Sequence, residues 1–331
     1  MKKIIYSMLV LMLTCSGVTA QIDPHFSQYY AYPVWLNPAL TGAVDGDYRI
    51  TANYRNQWSQ LTKAFSTVGV SADFQTAKTL NFGVNVLRQT AGEGGYQYTN
   101  AYATLAYTGI RFGENAYKRI VFALQAGVLD RRFDVSKLTF GDQWNPVTGY
   151  NSAASFDAEG KYATTSFDAG AGVLYFDGEP NKRVNIFAGA SAFHITRPDD
   201  KFKVSGNDKI PVRWAGHGGA RIGISDNIYL TPNFLYMRQG NQSESMLGAY
   251  AQFQVDTYND FLFGAYYRVN DAVVPFAGLH FHNMVLGVSY DANASSLRNG
   301  NVSPNAFEIS LSIIGRKERP FAVQYFVCPR L

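Results

Sequence analysis

The sequence predicts an all-β protein: a transmembrane antiparallel β-barrel of about fourteen strands, with an amino-terminal segment fitted to it and a carboxy-terminal periplasmic tail. Three observations carry this expectation. An export leader opens the chain, apolar and polar residues alternate with period two through most of the remaining sequence, and the connections between the alternating runs are by turns short and long. Four spans result: a signal peptide at 1–20, an amino-terminal segment at the lumen or periplasmic mouth at 21–45, the outer-membrane barrel at 46–315 and the tail at 316–331.

The leader has a basic start at Lys2 and Lys3, an apolar core from Ile4 to Leu13 and a small-residue exit at Val18, Thr19 and Ala20. That is a secretory signal peptide cleaved before Gln21. A lipoprotein signal on Cys15 is the rival, and Thr14 is a poor residue to precede a lipidated cysteine. Cleavage also removes Cys15, leaving Cys328 as the remaining cysteine, so no internal disulfide and no zinc site of several cysteines can form. Losing Lys2 and Lys3 takes the formal charge from +4 to +2, and the charges are scattered, which excludes a nucleic-acid stripe. After the leader, no apolar run approaches the roughly 20 residues a membrane helix needs.

Gln21 to Gly42 is dense in aromatics and carries Pro24, Pro33 and Pro38, so it can be neither one helix nor a central strand. Asn37-Pro38 with Gly42 reads as a turn, because Pro restricts the residue before it and Gly accepts a left-handed backbone. Phe26, Tyr29 and Trp35 then form an anchor cluster, expected inside or across the periplasmic mouth.

From Tyr48, Ile50, Ala52 and Tyr54 oppose Arg49, Thr51, Asn53 and Arg55; near the end, Phe307, Ile309, Leu311 and Ile313 oppose Glu308, Ser310 and Ser312. Counting such runs gives fourteen, centred near Asn53, Val70, Val84, Ala103, Leu124, Ala171, Ala188, Gly219, Asn233, Ala251, Ala265, Ala277, Gly287 and Leu311. Connections after the second, eighth, tenth and twelfth runs are short, and those after the fifth, seventh and thirteenth are long. With a periplasmic amino terminus, the short turns face the periplasm and the long loops the outside. Pro232 and Pro275 fall inside runs and require bulges or missing ladder bonds. Tyr54, Trp58, Tyr107, Tyr175 and Trp214 lie near run ends, as girdle residues do.

No catalytic, cofactor or metal constellation stands out. His25, His194, His217, His280 and His282 are dispersed; His280 and His282 share a face without a third ligand. His217 between Arg213 and Arg221 suggests an anion site, against which inward acids such as Asp73, Asp168 and Glu308 offer the arginines ordinary pairing.

The run Asp23-Pro24-His25-Phe26-Ser27-Gln28-Tyr29, then Leu36-Asn37-Pro38-Ala39-Leu40-Thr41-Gly42 and Arg55-Asn56-Gln57-Trp58, resembles the PorP/SprF family of Bacteroidota outer-membrane proteins, associated with type IX secretion and gliding. Tyr290-Asp291, Ser295-Ser296-Leu297, Phe307 to Leu311 and Cys328-Pro329-Arg330 extend the resemblance. It implies an outer-membrane barrel working with type IX secretion components in the periplasm and outer membrane and with an exported or cell-surface protein, surrounded by outer-membrane lipid. Candidate partner-binding residues are Asp23, Pro24, Phe26, Ser27, Tyr29, Trp35, Asn37, Pro38, Gly42, Arg55, Gln57 and Trp58, together with Phe321 and Tyr325 of the alternating tail. The expected function is non-enzymatic: export or surface attachment of a partner protein. A small-molecule channel with an amino-terminal hatch is the alternative, and a barrel lipase a third reading.

Overall fold

The computed structural model describes residues 23–59, 64–76, 79–92, 95–113, 116–134, 137–151, 161–180, 182–199, 209–256, 258–294 and 305–316. The leader and the tail positions Phe321 and Tyr325 lie outside them. Strands β1 (Tyr48–Gln57), β2 (Phe65–Phe74), β3 (Leu80–Ala91), β4 (Tyr96–Phe112) and β5 (Lys118–Asp134) follow one another along the wall. A two-stranded ribbon, β6 (Trp144–Asn145) and β7 (Gly149–Tyr150), stands in the longest loop. The wall resumes with β8 (Lys161–Asp177), β9 (Val184–Phe193), β10 (Arg213–Ser225), β11 (Ile228–Gln239) and β12 (Gln242–Gln254). It ends with β13 (Asn259–Arg268), β14 (Ala272–Phe281), β15 (Met284–Asn293) and β16 (Ala306–Gly315). Fourteen strands close antiparallel, β1 pairing with β16 from Tyr48↔Gly315 to Gln57↔Ala306. All fourteen expected strand centres fall within these strands.

Burial runs opposite to that of a soluble sandwich. Arg49, Thr51, Asn53 and Arg55 point inward and are buried, whereas Ile50, Val84 and Phe122 face outward. Leu124 is 68% exposed in the middle of β5. An apolar exterior around a polar-lined interior is what a lipid-embedded barrel requires, since closure pairs every strand edge. Among the described residues no helix is long and apolar enough to cross a membrane. Leu124→Arg should therefore block assembly, costing about 2–4 kcal/mol against mid-bilayer lipid, while Leu124→Ala is tolerated. The fraction of heat-modifiable protein in outer membranes measures both; equal fractions would place Leu124 off the lipid face.

The two internal prolines are accommodated by missing ladder positions. The β10–β11 ladder is interrupted between Gly219↔Asn233 and Ile222↔Leu230, opposite Pro232. The β14–β15 ladder is interrupted beside Pro275, between Val273↔Ala292 and Phe276↔Ser289. Each proline keeps its register on the other side, against Ala249 and Ala265. A residue without an N–H can sit there because it has no donor to offer. Of the expected girdle residues, Trp58, Tyr107 and Trp214 are exposed, and Tyr54 and Tyr175 are half-buried.

Candidate functional site

The lumen is filled by the chain's own amino-terminal segment. From Asp23 to Val44 only His25 retains more than slight exposure. Three prolines break the segment into short pieces: a 3₁₀ turn at Tyr29–Ala31, a single helical turn α1 (Pro33–Leu36) with Pro33 at its first position, and a 3₁₀ turn at Pro38–Leu40. Asn37 supports the last turn by accepting a hydrogen bond from the Ala39 N–H at 2.9 Å, and Gly42 takes φ +70°, the left-handed backbone its place in the turn called for.

The plug runs the height of the barrel. At its carboxy-terminal end the Asp47 N–H donates to the Gly315 carbonyl, on the rim of short turns. There Asp73 accepts from the Gly42 N–H at 2.7 Å and pairs with Arg49 through two bonds of 3.0 Å. The amino-terminal end lies at the opposite rim. Asp23 accepts from Tyr98 Oη at 3.1 Å and from His194 Nε2 at 2.8 Å, beside Arg213 at 3.3 Å. His194 and Arg213 stand at the two ends of the long β9–β10 loop, and Tyr98, near the start of β4, stands at the same rim. The aromatic cluster is thus inside the lumen, and the segment's first described residues reach the mouth opposite the short turns.

Between these ends, wall and plug interlock. Arg55 pairs with Glu308 and, at 2.8 Å, with Asp291; its Nη1 also donates to Ser27 Oγ at 2.7 Å. Glu308 accepts the backbone N–H groups of Ser27 at 2.5 Å and Gln28 at 2.9 Å, so one wall carboxylate satisfies two plug donors that pass no strand. Arg268 adds an ion pair to Asp291 at 3.1 Å. In the aromatic core Phe26 meets Tyr32 and Trp35 edge to face, with ring centres 5.5 and 5.9 Å apart, and the Arg213 guanidinium lies 4.0 Å above Trp35. Asn37 reaches between β8 and β9, donating to the Val173 carbonyl at 3.0 Å; a Cβ at Gly172 would stand 2.0 Å from its Oδ1, which is why glycine occupies that wall position.

The expected partner-binding residues are therefore brought together, but as plug and wall. Asp23, Pro24, Phe26, Ser27, Tyr29, Trp35, Asn37, Pro38, Gly42 and Arg55 are all buried, and with the plug seated they offer a partner almost no surface. Gln57 is half-buried at the rim; Trp58 is exposed and packs on Phe65. The inward acids are paired, though with other partners than Arg213 and Arg221: Asp73 with Arg49, Glu308 with Arg55 and Asp168 with His194, while Arg213 pairs with Asp23. His217 contacts Tyr30 Oη and Asn37 Nδ2, both at 3.1 Å, and Arg221 stacks on Tyr229, so no shared anion position forms between Arg213 and Arg221. His280 bonds Asp260 and His282 stacks on Tyr258, which separates the two rings. Among the described residues no three metal-ligating side chains converge. Sequence reading missed His194, Arg213, Asp291 and Arg268 as plug partners; inward parity on their strands was the available signal.

His194, just past β9, bridges the plug to the wall: Nδ1 donates to Asp168 at 2.6 Å and Nε2 to Asp23 at 2.8 Å. Burial opposes its protonation, but the Asp23 and Asp168 carboxylates outweigh burial and push its pKa up to about 9. A pKa raised above the ordinary value of about 6.5 stabilises the folded form fully below that value, and the contribution is lost as pH rises through about 9. Alkaline titration should therefore loosen the amino-terminal end of the plug. Limited proteolysis should cut near Asp23 faster at pH 10 than at pH 7, with the difference abolished in His194→Gln; equal cutting at both pH values would refute the bridge.

This architecture is matched by the sequence comparison. The family model described as type IX secretion system membrane protein PorP/SprF matches residues 18–313. The chain belongs to the PorP/SprF family. It is an outer-membrane barrel protein, as its fold also indicates. Among solved structures it is similar to the Ralstonia pickettii toluene transporter TbuX, with a TM-score of 0.53, 9% identity, and coverage of 86% of this chain and 93% of that one. It is also similar to the CymD monoaromatic hydrocarbon channel, with a TM-score of 0.51, 10% identity, and coverage of 91% and 96%. At such identities these likenesses concern the fold alone. No curated protein matches the sequence.

Proposed function

We propose that this PorP/SprF barrel is a non-enzymatic scaffold that engages type IX secretion components and helps export or surface-attach a partner protein. The observation that supports this reading is the filled lumen. A plug tied at both rims and by charge-assisted bonds to β1, β15 and β16 occupies the lumen, and binding then falls to the barrel's two ends. In the proposed orientation the short turns and the tail, with Phe321 and Tyr325, face periplasmic components. The loops from Phe133 to Ala163 and Thr196 to Pro211, together with the plug end at Asp23, face the exported partner. Phe26, Trp35 and their neighbours act by holding the plug seated, and Gln57 and Trp58 sit at the rim where contact is possible.

Affinity purification from native membranes in mild detergent tests the proposal. Recovery of type IX components with a large exported protein is the expected result, and recovery of the barrel alone would count against it. An epitope inserted at Gly149 should be reachable on intact cells and one after Asn227 should not; the reverse pattern would invert the orientation. The second reading, a small-molecule channel with a hatch, draws on the fold shared with TbuX and CymD. Large steady conductance of the intact protein in planar bilayers would favour it.

A further inference from the structure

The wall does not meet all sides of the plug alike. On β1, β15 and β16 the plug is held by the ion pairs and charge-assisted bonds around Ser27. On β3, β4 and β5, between Arg119 and Arg131 near the two ends of β5, the wall presents a run of neutral side chains: Asn81, Asn85, Asn100, Thr104 and Gln125, none more than 3% exposed. Asn81 Nδ2, both polar atoms of Asn85, Asn100 Oδ1, Thr104 Oγ1 and Gln125 Oε1 have no hydrogen-bond partner among the described residues, nor has Thr41 Oγ1 of the plug. Buried polar atoms without partners are uncommon in folded proteins. These six wall atoms lie on three adjacent strands, and others, Asn56 Oδ1, Asn185 Oδ1 and Asn259 Oδ1 among them, lie elsewhere on the wall.

Register arranges them in a file. Asn100 lies opposite Leu87, Asn85 opposite Tyr102, Thr104 opposite Gln125 and Asn81 opposite Ala106. From the level of Leu87 to that of Asn81 the file extends six residues along β3, roughly 20 Å at about 3.4 Å per residue. Over its upper part lies Trp35, which shares a narrow cleft with Asn85, Asn100 and Gln125 on one side and with Asp23, His194 and Arg213 on the other, and leaves no room there for a water molecule. An apolar ring thus covers groups whose hydrogen-bonding capacity it cannot use. Each amide offers a donor and an acceptor without charge, and the stripe carries no ionised side chain. Such side chains can bind water and small uncharged polyols.

We propose that the β3–β5 face of the lumen is a solute path, closed by Trp35, that admits water and small neutral polyols when this part of the plug is lifted from it. Entry of a polyol would supply partners to these atoms at the cost of two neutral-donor bonds on this face, Tyr98 to Asp23 and Tyr32 to the Val86 carbonyl. Separation on the β1–β16 side would instead strip the charge-assisted bonds around Ser27.

The test uses the full-length protein in liposomes, with glycerol as the probe and stopped-flow light scattering as the readout. Trp35→Ala should raise glycerol permeability several-fold over the wild type. Adding Asn85→Leu, Thr104→Val and Gln125→Leu should return it to the wild-type level and raise heat stability, because unpaired polar groups are removed. Heat-modifiable mobility confirms a folded barrel in each preparation, and Trp35→Leu serves the same comparison if the alanine variant does not assemble. Vesicles with the Trp35 variant as tight as the wild type, or equally leaky with and without the three wall substitutions, would overturn the proposal. Neither result bears on which proteins co-purify with the barrel.

Discussion

Changing Phe26 and Trp35 together to Ser will unseat the plug while leaving the barrel closed. Phe26 is fully buried and Trp35 is 3% exposed, and the two rings meet each other, Tyr32 and the Arg213 guanidinium. Truncating a buried Phe or Trp costs about 3–5 kcal/mol, and the two losses will not simply add because the side chains are in contact. The strand ladders do not depend on them: β1 pairs with β16 and β2 along its whole length through backbone bonds. The expected result is a heat-modifiable barrel whose amino terminus is cut rapidly by protease and whose partner recovery falls. Protease resistance and partner recovery at wild-type levels would show that the aromatic core does not hold the plug.

Arg55→Met will be more damaging, because it acts on plug and wall at once. Arg55 is 1% exposed and answers two buried carboxylates, Asp291 and Glu308, while reaching Ser27 on the plug. Removing one partner from a buried ion pair costs about 3–5 kcal/mol, since the remaining charges stay buried without compensation. Arg55→Met should lower the temperature of the heat-modifiable transition strongly. Adding Asp291→Asn and Glu308→Gln should recover part of the loss, because the charges left behind are removed. No recovery in the triple variant would mean that Arg55 acts through packing.

The contrast between these two regions shows what was legible beforehand. The lipid-facing rows were plain, since Val84 and Val86 or Ile309 and Leu311 repeat at period two with polar residues between them. The polar rows were equally visible, but their purpose was not. A lumen of this size could have held water, and an arginine at Ser310 could then have been hydrated. In the structure Ser310 is buried and donates to Gln28 Oε1 at 2.7 Å, so a large side chain there would strike the plug. The opening segment was recognisable as fitted, from prolines and aromatics that no free tail would need. Its direction was not recognisable.

Strand number, strand faces and the placing of the longest loops at one rim were determined by the sequence alone, because each rests on residues two apart or on the distance to the next turn. The connections β11–β12 and β13–β14 on that same rim are as short as the turns opposite. The plug's course through the lumen, and its amino-terminal end at the long-loop mouth, were decided only by tertiary structure. Ser27 meets Glu308 across 281 positions, and Asp23 meets His194 across 171. No local period records such pairings. They exist because fourteen strands close into a ring and bring together inward side chains that the chain itself holds far apart.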